Sequence, residues 1–78
     1  MVYCNLKEIK ENSAIYYAGS NVSDISGEVE FFKEMKNPTI IKQPDSGKLY
    51  QSLVCKVAVK YKNKFLKGEF PEKVSYEI

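Results

Sequence analysis

A chain of 78 residues makes one domain, 1–78, that buries only about 60% of the surface its unfolded form exposes, which excludes a deep substrate pocket beside a separate regulatory site. A hydrophobic content of 44%, with six Tyr and four Phe, excludes a disordered chain, because that apolar area offsets chain entropy. His, Arg and Trp are absent and all 12 basic residues are Lys, so His-dependent catalysis, His-ligated metals and arginine readout of guanine are excluded; a net charge of +2 is a small basic excess for a dedicated nucleic-acid binder.

The chain opens with Val2, Cys4 and Leu6 alternating against Tyr3, Asn5 and Lys7, the period of a half-buried strand. Glu11-Asn12 reads as a turn. Residues 13–18, rich in Ile and Tyr, read as a second strand, and the Gly, Ser, Asn and Asp of 19–27 as a loop. In Glu28-Val29-Glu30-Phe31 the apolar pair points one way and the glutamates the other, which is a strand with one wet face. Lys36-Asn37-Pro38 signals a turn before a short strand at Thr39-Ile40-Ile41.

Residues 49–66 carry two competing periods. With period 2, Leu53, Cys55, Val57, Val59 and Tyr61 share a face. With period 3.6, Leu49, Leu53, Val57, Tyr61 and Phe65 form an i, i+4 ladder, widened by Tyr50, Val54 and Ala58. Length favours the helix, since strands rarely run for so many residues. The C-terminal lysines, Gly68 at a C′ position and Pro71 beyond it also suit a helix end. The β-branched Val54, Val57 and Val59 argue the other way. Asp45 or Ser46 is placed to cap such a helix, and residues 73–78 alternate as a closing strand. The expected fold class is α+β. An antiparallel sheet of four to five strands packs against one long helix in the C-terminal half, about residues 46–67.

Three segments, Tyr16-Tyr17, Gly27-Glu28-Val29-Glu30-Phe31 and Gly68-Glu69-Phe70-Pro71-Glu72, cover about a sixth of the chain. Their arrangement resembles small uncharacterised bacterial proteins in which a strand meander is followed by a helix, a Gly-x-Phe-Pro-Glu-like end and a short closing strand. The resemblance implies this fold and no activity.

Few residues suggest chemistry. Glu28 and Glu30 fall on the wet face of their strand, and Asp24 sits where an Asp bonds nearby backbone amides and shapes a turn. Cys4 and Cys55 are far apart, with no CxxC pair to build a zinc site; a disulfide between them is open but not required by the spacing. Gly47-Lys48 lacks the upstream Gly and the following Ser or Thr of a P-loop. No catalytic, metal-binding or cofactor-binding residue is expected, and the protein is read as a non-enzyme. The longest apolar run, 14–18, is far too short to span a membrane, so the expectation is a cytoplasmic protein with no membrane partner.

Two surfaces remain. On the helical wheel Cys55, Val59 and Leu66 form a minor apolar stripe away from the core-facing residues, a candidate surface for a protein partner or a weak homodimer. Lys56, Lys60, Lys62, Lys64 and Lys67, with Tyr61 and Phe65 interleaved, form a candidate for sequence-nonspecific nucleic-acid contact. On a helix those two aromatics belong to the core, which weighs against the second reading. The leading expectation is a small protein-interaction or regulatory module.

Overall fold

The computed structural model describes residues 1–77. Elements follow in the order β1 (Val2–Ile9), β2 (Ser13–Gly19), β3 (Gly27–Phe32), β4 (Thr39–Lys42), α1 (Gln51–Lys60), α2 (Lys62–Leu66) and β5 (Lys73–Tyr76). The strands form one antiparallel sheet in the order β4-β3-β2-β1-β5. A meander of four strands builds most of it. The two helices then cross one face and deliver β5 to the far edge, beside β1. Ile78, which the alternation included in the closing strand, lies outside the described residues.

Register explains the core. Cys4 stands opposite both Ala18 and Val74, Tyr16 opposite Val29, and Ala14 opposite Phe31. These apolar side chains therefore share one face of the pleat. Val54, Val57 and Phe65 of the helices close over them, and all of these residues are buried. The rings make a connected chain: Tyr16 meets Phe31 edge-on at 5.5 Å, Phe31 lies 5.2 Å from Phe65, and Phe65 stacks on Phe70 at 5.2 Å.

The single long helix expected over 46–67 is not what forms. Helix α1 starts at Gln51, has ten residues, and is separated from the five-residue α2 by Tyr61. Two causes are local. Gly47 takes φ +76°, and Ser46 gives its N–H and hydroxyl to Asp24 rather than to a helix start. Leu49 is buried but lies outside the helix, with its N–H donating to Gln43 Oε1 at 2.7 Å and its carbonyl accepting from Gln43 Nε2 at 3.0 Å. At the other end Tyr61 relaxes to φ −105°, ψ 14° and stacks over Phe65 at 6.0 Å. The valines of α1 restrict χ1 and give the helix little propensity to resist that break.

The end of α2 is as the lysines, Gly68 and Pro71 suggested. Gly68 has φ +77°, its N–H donates to Phe65 O at 2.9 Å, and Glu69 N–H donates to Lys64 O at 2.9 Å. This pair of bonds is a Schellman motif, and just beyond it Phe70 stacks back on Phe65.

Tyr16 ties sheet to crossover. Its hydroxyl donates to Pro71 O at 2.6 Å, which fixes the approach to β5. Tyr16→Phe leaves that carbonyl without its partner and is expected to lower stability by about 1–3 kcal/mol in urea melts; a loss under about 0.5 kcal/mol would mean the bond holds nothing. Burial also pushes the Tyr16 phenol above its usual range and the Cys4 thiol up to about 12. Both groups fold in the neutral form, so their contribution is complete below the unfolded thiol's value of about 9 and is lost as pH rises beyond it.

Candidate apolar groove

A groove of about 180 Å³ runs between the helices and the 33–38 connection that joins β3 to β4. Cys55, Val59 and Leu66 form its helical wall, so the stripe expected from the helical wheel does converge on one place. Val59 is 72% exposed and Leu66 44%, although both are apolar. The opposite wall comes from Met35, also 72% exposed, and the buried Pro38. Phe31 and Phe65 line its inner end.

The groove is held open by bonds at its ends. Gln51, in the first turn of α1, donates through Nε2 to Pro38 O at 2.7 Å, anchoring the helix start to the β3–β4 connection. Lys33 N–H donates to Asn12 O at 3.0 Å, which fixes the start of the same connection against the β1–β2 turn. Lys36 Nζ lies 4.4 Å from the Phe32 ring centroid, a cation–π contact that holds this cation at the rim.

The five candidate nucleic-acid lysines do not form one stripe. Lys62 lines the groove. Lys60 turns toward β5, donating to Ser75 O at 3.1 Å, and Lys56 Nζ lies 5.7 Å from the Tyr76 ring. Lys64 and Lys67 are exposed along and just beyond α2. Phe65 is buried and Tyr61 half-buried within the ring cluster, so neither presents a face to a base. The Ser75 N–H meets Tyr61 Oη at 3.4 Å while its carbonyl takes Lys60, and these contacts blunt β5 as an edge for strand addition.

The remaining polar groups have structural work. Lys7 bonds Glu28 at 3.1 Å on the outer face, and Ser13 Oγ donates to Glu30 Oε2 at 2.6 Å. Asp24 Oδ1 accepts from Ser26 N and Oγ, and its Oδ2 from Ser46 N and Oγ, so one carboxylate latches the 20–26 loop to the 44–47 turn. Both cysteines are free thiols, Cys4 in the core and Cys55 in the groove wall. Among the described residues no three Cys, Asp or Glu side chains gather as a metal site, and no helix is long and apolar enough to cross a membrane.

Sequence reasoning passed over Met35 and read Lys36 and Pro38 only as part of a turn. Compared with known proteins, the chain matches no family model, no curated protein and no solved structure.

Proposed function

We propose that this protein acts by binding another protein through the apolar groove, and not by catalysis. The observation that carries the reading is the convergence of Cys55, Val59 and Leu66 with Met35 around one recess, from two elements far apart in sequence. Scattered single apolar residues are ordinary on a surface, whereas a shaped apolar recess with exposed walls marks a contact site. The fixed ends of the groove add to this, because a preformed site loses little ordering entropy on binding.

Photo-methionine tests it with minimal change of shape, since the chain has two methionines, Met1 and Met35. Irradiation of the labelled protein in an extract of its source cells should give a discrete adduct that Met35→Leu lacks. Unlabelled wild type should suppress it and unlabelled Leu66→Glu should not. Adducts that do not depend on residue 35, or that Leu66→Glu suppresses equally, sink the reading.

One observation favours a second reading. Residues 46–68 carry six lysines and no carboxylate, while the rest of the chain carries six lysines and all ten acidic residues. A cationic segment of this kind suits nonspecific contact with nucleic-acid phosphates. Retention on a single-stranded oligonucleotide at about 50 mM salt, falling steeply with ionic strength, supports that alternative, and no retention removes it.

A further inference from the structure

The groove's dimensions and rim identify the kind of partner it fits. Its volume of about 180 Å³ falls below the roughly 300 Å³ at which small-molecule and cofactor pockets begin. That space suits one large apolar side chain entering from outside, the usual form of an interface anchor. The rim carries charge of one dominant sign. Lys36 and Lys62 both line it against a single carboxylate, Glu34, and Lys36 is held in place over Phe32. The segment 46–68, which supplies Lys62, carries six lysines and no acid.

Resting on the protein-binding reading above, we infer that the occupant is an acidic segment of another protein, which seats one Leu- or Phe-sized side chain between Met35 and Leu66 and sets carboxylates against Lys36 and Lys62. Charge decides against a second copy of this chain. Groove laid on groove sets two rims against each other, each with two lysines and one glutamate, and a net positive charge on both sides opposes association. Shape decides against a lipid surface. A bilayer rewards apolar side chains that project from a convex face, whereas Val59, Leu66 and Met35 wall a recess.

Short synthetic peptides separate these contributions. One is built on Glu and Ser around a single Phe, a second replaces every Glu by Lys, and a third keeps the Glu but replaces Phe by Ala. In ¹⁵N-resolved titrations the first should shift the amides of Met35, Cys55, Val59 and Leu66 saturably. The other two should bind at least about tenfold more weakly. The double charge reversal Lys36→Glu/Lys62→Glu, at exposed rim positions, should reverse the preference between the Glu and Lys peptides. Equal binding of the Glu and Lys peptides overturns the inference yet leaves the groove as a protein-binding site. Failure of all three peptides to shift the groove also overturns it, and the Met35 crosslink then decides separately whether the broader reading stands. Groove shifts produced instead by phosphatidylserine vesicles, by oligo-dT, or by a concentration-dependent dimer seen in sedimentation assign the surface to another occupant and overturn it as well.

Discussion

Phe65→Ala is expected to remove about 3–5 kcal/mol of folding stability, the usual cost of emptying a buried phenylalanine site. Phe65 is 3% exposed and contacts three other rings, those of Phe31, Phe70 and Tyr61, at 5.2, 5.2 and 6.0 Å. It is also the one buried residue of α2. A helix of five residues cannot sustain itself by its own hydrogen bonds, so α2 exists because Phe65 is docked. At about 0.05–0.15 kcal/mol per residue the whole chain has roughly 4–12 kcal/mol to lose. The variant should therefore show a much lower urea midpoint and early loss of amide protection over 62–69. Val59→Ala, at a site 72% exposed, should change stability by less than about 0.5 kcal/mol. A loss under about 1 kcal/mol for Phe65→Ala would mean that the ring cluster can close over the cavity, and that α2 is held by something else.

The same residues show what could be read from the chain. Strands were legible because their signal is local. In β3, Val29 and Phe31 are buried while Glu28 and Glu30 are not, as the alternation required. The helical ladder Leu49, Leu53, Val57, Tyr61, Phe65 was a true record of core-facing positions but not of continuous helix. Leu49 reaches the core from the chain ahead of the helix, and Tyr61 does so from the break. A period in burial survives an interruption in backbone geometry, provided that the residues on both sides still face the same sheet. The interruption itself depends on Asp24, which takes Ser46 from a position 22 residues earlier, and no local pattern announces such a bond. The groove divided in the same way. Its helical wall followed from periodicity, whereas Met35 and Pro38 sit in a turn, where side-chain direction has no period. Only the register of β3 against β4 and the bond from Gln51 to Pro38 bring the two walls together.

Gly19→Ala is expected to lower stability by about 1–3 kcal/mol, through overpacking at a point where two backbones touch. A Cβ on Gly19 would lie 1.8 Å from Asp24 O, 2.9 Å from Asp24 C and 3.1 Å from Ile25 Cα. Every one of these neighbours is main chain, so no side chain can swing away and the 20–26 loop must move. That loop carries Asp24 to its four donors on Ser26 and Ser46. The Ser26 and Ser46 bonds hold the Asp24 carboxyl well below the usual carboxylate range. A depressed folded value means that the ionised latch contributes stability above the unfolded value of about 3.9, and that the contribution is lost as pH falls through the lower folded value. Wild type should accordingly lose stability on acidification below about pH 4 more steeply than Asp24→Asn does. Gly19→Ala should share part of that flattening, because moving the loop draws the carboxylate away from Ser46. Combining Gly19→Ala with Asp24→Asn should then cost less than the two separate losses together, as for any two changes that break one contact. Additive losses, with the wild-type acid slope intact in Gly19→Ala, would show that the loop can shift while Asp24 keeps its grip, and that the glycine and the latch are independent.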